Sequence, residues 1–363
     1  MNVVLIPTLN PDRRLVDYIV DLRKNGLSKI LVVNDGSDAY AEEIFEKLRG
    51  LNEEQFDITI LEHAKNLGKG RALKDGINYY LIHLKDKYLG SHGLITVDSD
   101  GQHLVKDVLN IDKQLQTIRE GGIILGCRNF NKENVPFKSR FGNKITKFVF
   151  KMFFGKSITD TQTGLRAFSN NVLIQLIDLY GERFEYETNV LIECSNLDIP
   201  IDEISIETIY ENQNKSTHFN PIVDSIKIYS LLLSQFLKYI LASATSSIID
   251  LLLFVLLCNI IPQNNGLRIY LATIGARLVS SIYNYEVNKN IVFNYKKESY
   301  RTTIEYYVLC LIIMITSGFS VNALYSFFGQ HEFLIKCIVD TILFCCNYFI
   351  QQKIIFKTKG GKR

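Results

Sequence analysis

The chain has 363 residues, enough for two or three domains. Its net charge of +3 shows no general affinity for polyanions and argues against nucleic acid as a partner. Its seven cysteines have neither metal-site nor disulfide spacing, which suits a reducing or lipid setting.

Residues 3–9 read as a strand leading straight from Met1, with no signal peptide before it, so the N-terminal region is expected in the cytosol. Residues 11–25 read as a helix with Leu15, Ile19 and Leu22 on one face and Gly26 as its stop. A second strand, 29–34, precedes Asn34-Asp35-Gly36-Ser37 and a helix from Ala39. Strand 57–62, helix 68–84 and strands 93–97 and 123–126 follow. This alternation predicts an α/β fold with a mostly parallel, doubly wound sheet. In such sheets the strand C-termini form the binding crevice. Thr8, Asn10, Asp35, Asn66, Asp98, Asp100 and Arg128 stand at those ends.

Strand 93–97 runs into Asp98-Ser99-Asp100-Gly101-Gln102-His103. Two carboxylates and an amide on one turn are the oxygen ligands that Mg²⁺ or Mn²⁺ takes, usually with phosphate oxygens completing the shell. Taken alone, the triplet reads equally as an acidic turn. In Asn66-Leu67-Gly68-Lys69-Gly70 the glycines admit an anion to backbone N–H groups and Lys69 adds charge. Neither P-loop nor dinucleotide-binding spacing is present, which disfavours ATPase and dehydrogenase readings. Residues 143–156 carry Lys144, Lys147 and Lys151 apart from Ile145, Phe148, Val149, Met152 and Phe153. Such a helix suits a membrane surface or its own sheet. Residues 221–236 read as a juxtamembrane interfacial helix.

Together Pro7-Thr8-Leu9-Asn10, Asn34–Ser37, Asn66–Gly70, Asp98–Gln102, Gly126-Cys127-Arg128 and Asp160-Thr161-Gln162-Thr163-Gly164-Leu165-Arg166 resemble a family-2 glycosyltransferase of the GT-A fold. The type is the polyprenyl-phosphate sugar transferase, similar to dolichol-phosphate mannosyltransferase, over about residues 1–230, with the transferase domain itself at 1–220. The resemblance implies an inverting hexosyltransferase moving a sugar from a UDP- or GDP-sugar to undecaprenyl or dolichyl phosphate. It places Pro7, Thr8, Asn10, Asp35, Asn66, Lys69, Asp98, Ser99 and Lys215 on the nucleotide sugar. Asp98, Asp100 and Gln102 would hold Mg²⁺ or Mn²⁺, Arg128 and Arg140 the acceptor phosphate, and Asp100, Asp160 and Arg128 the catalytic centre. Arg166 would pair with Asp160 or with phosphate, and Glu187 would lie near the site. Pro11 and Asn34 depart from the family pattern, leaving both uridine and guanosine open.

Beyond residue 230 four apolar stretches follow, 239–261, 269–288, 304–328 and 333–352, each near the ~20 residues that span a bilayer. Residues 237–356 resemble a GtrA-like four-span domain, most clearly at 284–293, with a basic tail at 357–363. Lys289, Lys296, Lys297 and Arg301 against a lone Arg268 place both termini in the cytoplasm by the positive-inside rule. The expected setting is a multi-pass protein of the plasma membrane, a homo-oligomer as relatives suggest, making cell-envelope glycan. Asp250, Arg277 and Asp340 lie at similar depth, and Arg277 is expected to pair with one or both acids. The alternatives are a lipid-linked sugar flippase or scaffold, and a polysaccharide-extending synthase. The second is disfavoured by the lack of a Gln-x-x-Arg-Trp segment in a chain without tryptophan.

Overall fold

A computed structural model describes residues 2–52, 56–88, 90–118, 121–129, 137–207, 223–262, 267–297, 299–328 and 332–356. The chain divides into two compact units, Met1–Leu232 and Leu233–Arg363. Lys215, Ser216 and the basic tail lie outside the described residues.

The first unit opens with β1 (Val3–Thr8), α1 (Arg13–Lys24), β2 (Lys29–Asn34), α2 (Glu42–Arg49), β3 (Asp57–Glu62), α3 (Lys69–Tyr79), β4 (Gly93–Thr96) and α4 (Val105–Leu115). It continues with β5 (Ile123–Arg128), α5 (Phe137–Phe154), β6 (Arg166–Ser169), α6 (Asn170–Leu173), α7 (Glu185–Asn196) and β7 (Ile201–Ile206). The seven strands form one sheet in the order β3-β2-β1-β4-β6-β5-β7. All neighbouring pairs are parallel except those of β6, which runs antiparallel between β4 and β5. The order reverses between β1 and β4, so Thr8 and Thr96 end the two strands flanking the switch point.

The apolar run of β1 is buried along its whole length because helices cover both sheet faces. Val3 and Leu5 join one core layer with Leu31, Ile77 and Leu94. Val4 and Ile6 point the other way, onto Leu15, Ile19 and Val32. Asp12 caps α1 by accepting the Arg14 N–H at 2.9 Å, and Gly26 (φ +93°) turns the chain back toward β2.

Helix α5 has two fates along one stretch. Phe150 and Phe153 are buried in the unit's own core, while Phe148 is 66% exposed and Lys144 and Lys151 face outward. The packed face and the basic apolar face therefore coexist.

The second unit consists of α8 from Leu233 onward, α9 (Arg268–Val287), α10 (Tyr300–Phe328) and α11 (Glu332–Ile350). Helix α8 runs unbroken over Val223–Ile260, so the expected separate helix at 221–236 is instead continuous with the first apolar helix. Among the described residues three helices are long and apolar enough to cross a membrane: Leu233–Ile260, Tyr300–Phe328 and Glu332–Ile355. The expected span at 269–288 forms a helix, α9, but falls short in hydropathy. Arg268, Arg277, Glu286 and the serines and tyrosines between them dilute its apolar content. Leu251, Leu252, Ile274, Leu278, Ile312 and Phe319 are exposed, an inside-out pattern that lipid would cover.

Arg277 pairs with one of the two acids, as expected, and the other acid finds its own cation. Arg277 lies 3.6 Å from Asp250, which also accepts a hydrogen bond from Ser280 at 2.9 Å. Asp340 is paired with Lys336 at 2.8 Å and accepts from Ser317 at 2.6 Å; Lys336, one turn away on the same helix, supplies the cation there.

Candidate active site

The acidic turn leaves the end of β4 and enters a network of buried charge. Lys69 Nζ, in the first turn of α3, lies 2.7 Å from Asp98 Oδ1 and 3.1 Å from Glu187 Oε1 on α7. His103 Nε2 approaches Asp98 Oδ2 at 3.3 Å. Burial opposes the charge of Asp98, but Lys69 and His103 outweigh it and hold the carboxyl well below the usual range. Lys69 is likewise opposed by burial and raised overall by Asp98 and Glu187. Asp100 moves the other way: burial, then the nearby Asp98 charge, raise it. Its Oδ1 accepts the Gln102 N–H at 3.0 Å. Asp100, Gly101 and Gln102 line a cleft of about 210 Å³ with Arg14, Asp17, Tyr18 and Asp21 of α1.

The loop 160–166 connects this turn to a second, basic cleft. Thr163 donates to the Gly126 carbonyl of β5 at 2.6 Å, and Thr96 donates to the Gly164 carbonyl at 3.0 Å. Gly164 lies against Asp98: a Cβ there would stand 2.1 Å from Oδ2. Asp160, fully buried, receives Arg128 Nε at 2.7 Å and Nη2 at 3.0 Å, a fork-on-fork pair, and the Gln162 N–H at 3.1 Å. Arg128 also lines a cleft of about 400 Å³ with Arg140, Asn143, Lys144, Lys147, Thr159 and Glu203. The two arginines expected to share a ligand are therefore brought together, with two lysines of α5 beside them.

Arg166 does not pair with Asp160. It is buried and donates to the carbonyls of Thr161 (3.2 Å), Thr163 (2.8 Å) and Glu187 (2.7 Å). It staples the loop to α7.

On the nucleotide side, Pro7 and Thr8 are buried in β1, and the Thr8 carbonyl accepts the Asp35 N–H at 2.8 Å. Asn10 (φ 51°) is clamped to the β2–α2 turn: its N–H donates to Ser37 Oγ at 2.8 Å and its Oδ1 accepts the Asp38 N–H at 2.7 Å. The left-handed backbone there suits asparagine. Asp35 is buried and turned inward, accepting the N–H groups of Leu67 (2.9 Å) and Gly68 (2.8 Å) and facing His63 Nδ1 at 2.8 Å. Its carboxylate thus fixes the glycine-rich turn that presents Lys69. Asn66 is exposed and Ser99 half-buried at the same edge.

Motif reading gave no role to His103, although it directly follows Gln102, nor to Glu203, which accepts from Thr159 Oγ1 at 2.6 Å. Nothing in the alternating pattern of β7 distinguishes Glu203 from its exposed neighbours.

Among the described residues no cluster of three or more His, Cys, Asp or Glu side chains could hold a metal alone. The half-buried, mutually repelling pair Asp98 and Asp100 still fits a hard divalent cation whose remaining ligands are phosphate oxygens.

Residues 3–177 match the family described as glycosyl transferase family 2, and residues 238–356 match the GtrA/DPMS transmembrane domain. An uncharacterized protein of Methanocaldococcus jannaschii is 32% identical over 237 residues, covering 64% of this chain and 90% of that one. The UDP-N-acetylglucosamine–dolichyl-phosphate N-acetylglucosaminyltransferase of Methanococcus voltae is 26% identical, covering 63% and 94%. A dolichyl-phosphate beta-glucosyltransferase of Dictyostelium discoideum is 26% identical, covering 62% and 71%. The chain belongs to glycosyl transferase family 2, its transferase unit followed by a GtrA/DPMS transmembrane domain.

Proposed function

We propose that the protein transfers a sugar, with inversion, from a nucleotide-diphosphate sugar to a polyprenyl phosphate at the cytoplasmic membrane face. The observation that carries this reading is the basic cleft holding Arg128, Arg140, Lys144 and Lys147, joined to the acidic turn by the loop 160–166. The named activities of the Methanococcus and Dictyostelium relatives support the same substrate classes. The donor's diphosphate lies against the acidic turn and Lys69, and the acceptor's phosphate in the basic cleft. With α9 crossing beside the three more apolar helices, four crossings would leave both termini on one side, the cytoplasmic side by the positive-inside rule.

A phosphate acceptor is already ionised near neutral pH, so the site needs no strong general base. Orientation of the nucleophile matters more, and a guanidinium presents paired donors to phosphate oxygens. Asp160 is wholly buried against Arg128, so its role is to position that guanidinium rather than to touch the reacting atoms. Asp98 and Asp100, helped by Gln102, would hold Mg²⁺ or Mn²⁺. Such an ion, when bound, neutralises charge on the departing diphosphate. Lys69 would hold Asp98 ionised for that purpose.

The test is a transfer assay with full-length protein in detergent, Mn²⁺ or Mg²⁺, labelled UDP- and GDP-sugars, and dolichyl or undecaprenyl phosphate. Label should enter the lipid fraction with at least one donor. No labelled lipid with any donor overturns the proposal. Transfer that persists undiminished in excess chelator removes the metal from it.

A further inference from the structure

The second unit contains an internal repeat. Asn284-Tyr285-Glu286-Val287-Asn288-Lys289-Asn290-Ile291-Val292-Phe293 at the end of α9 is matched by Asn347-Tyr348-Phe349-Ile350-Gln351-Gln352-Lys353-Ile354-Ile355-Phe356 at the end of α11. Asn, Tyr, Ile and Phe recur identically, and Val/Ile and Asn/Gln substitute for one another. The separation is 63 residues. Both segments leave the α-helix at the same point for a π-helical turn, Asn288–Val292 and Gln351–Ile355.

Burial follows the same spacing well beyond the motif. Ala272, Ala276, Tyr285, Asn288, Val292 and Phe293 are buried in one half; Ile335, Val339, Tyr348, Gln351, Ile355 and Phe356 are their buried counterparts in the other. On the leading helices, where the offset is 67 residues, Tyr239 and Ala242 of α8 correspond to Tyr306 and Leu309 of α10.

The contacts are exchanged between the halves. Asn347 Nδ2 of α11 donates to the Tyr239 hydroxyl of α8 at 2.9 Å, and the Tyr306 hydroxyl of α10 donates to Asn284 Oδ1 of α9 at 2.8 Å. The rings of Tyr239 and Tyr348 lie 5.2 Å apart, and those of Tyr306 and Tyr285 5.1 Å apart. Phe293 meets Tyr348 at 5.8 Å, and Phe356 meets Tyr285 at 6.0 Å. Within each half the next turn's amide donates back: Asn288 to Asn284 Oδ1 at 2.8 Å, Gln351 to Asn347 Oδ1 at 3.1 Å. Two contacts join equivalent positions to each other. Asn288 Nδ2 donates to Gln351 Oε1 at 3.2 Å, and Phe293 stacks on Phe356 at 5.1 Å. A two-fold relation makes equivalent residues meet while the Tyr–Asn and Tyr–Tyr contacts above are swapped between the halves.

We propose that this membrane unit is a tandem duplication of one helical hairpin, α8–α9 and α10–α11, locked about a pseudo-two-fold axis through Asn288/Gln351 and Phe293/Phe356. With four crossings both hairpins would enter from the same side and the axis would run along the membrane normal, as in transporters built of parallel repeats. Lipid gives little hydrophobic drive for pairing, so buried amides and tyrosines are what choose the partner and its register. The axis is a self-pairing interface between two copies of one hairpin held in a single chain.

The test uses full-length protein in detergent, with thermal midpoints measured for Y239F, N347A, Y306F, N284A and their doubles. Each single change is expected to lower the midpoint by about 2–4 °C. The exchanged pairs Tyr239/Asn347 and Tyr306/Asn284 should each couple directly, and more strongly than the mismatched pair Tyr239/Asn284, which is linked only indirectly, through the Asn288–Gln351 bridge. Asn288→Gln and Gln351→Asn should each lower the midpoint, and the double exchange should restore it. Coupling in only one exchanged pair, or a double exchange worse than either single, overturns the proposal. Amide hydrogen exchange on the unmodified chain gives a reading independent of variants. Segments 284–293 and 347–356 should open together, and opening of one without the other is equally fatal.

Discussion

The contact between Gly164 and Asp98 gives the sharpest test of the proposed donor site. A Cβ at residue 164 would stand 2.1 Å from Asp98 Oδ2 and 2.4 Å from both Cγ and Oδ1. The carboxylate, not the backbone, is what it meets, and Gly164 has an ordinary φ, so Gly164→Ala should fold. To restore van der Waals contact the carboxylate must retreat by about 1 Å, a displacement that costs roughly 10²-fold when it falls on a reacting constellation. Retreat also strains the 2.7 Å bond to Lys69 and the 3.3 Å approach of His103. Overpacking of this kind costs about 1–3 kcal/mol of stability. Transfer rate, thermal midpoint and Mn²⁺ dependence should be measured together. The expected outcome is a folded protein with a rate down by about two orders of magnitude and a higher metal requirement. A Gly164→Ala variant within threefold of the parent rate would refute the positioning argument for Asp98.

Arg128→Lys keeps the charge and loses the fork, so kcat/KM for the lipid phosphate should fall about tenfold to a hundredfold, with donor KM little changed; an unchanged acceptor KM would remove Arg128 from that cleft. Lys69→Met takes away the cation that holds Asp98 ionised, so the acid limb of the pH–rate profile should move to higher pH. An unmoved limb would mean that His103 suffices. Glu182 is opposed by burial but lowered overall by Lys74 and Arg71, and Lys74 is itself buried. A carboxyl lowered in the folded state stabilises above its unfolded pKa, and that contribution fades as pH falls through the folded value. Glu182→Gln should therefore destabilise by on the order of 1 kcal/mol at pH 7, and the gap to the parent should close below about pH 4. A gap constant with pH would point to packing instead.

The strands, the crevice edge and the acidic turn were legible because each rests on local pattern: an apolar run, then oxygen ligands at a fixed spacing. Strands β6 and β7 were not: Arg166-Ala167-Phe168-Ser169 carries a buried arginine where a strand core expects an apolar residue, and Ile201–Ile206 is a mostly solvent-facing edge strand. Asp35 was placed in the crevice correctly by chain position, but its direction depends on the N–H groups of Leu67 and Gly68, which only the fold brings near. Helix α5 was read as either membrane-facing or packed because its wheel supports both; the fold packs Phe150 and Phe153 and leaves Phe148 exposed. The α9 segment was read as a span by its length and apolar content; the polar residues that lower its hydropathy below that of the other three helices serve contacts with α8 and α10. The sequence carries the 284–293 and 347–356 match openly. Only the exchanged contacts give it meaning.

Arg166 offers a last consequence. Its guanidinium is solvated by three backbone carbonyls rather than by a carboxylate. Carbonyls do not titrate, and buried ones are poorly screened by salt. The bridge between the acidic turn and the basic cleft should therefore keep its shape across conditions that change the charges on either side of it. A change of ionic strength or pH would alter the charge on either side of the bridge while the distance between the acidic turn and the basic cleft stayed fixed.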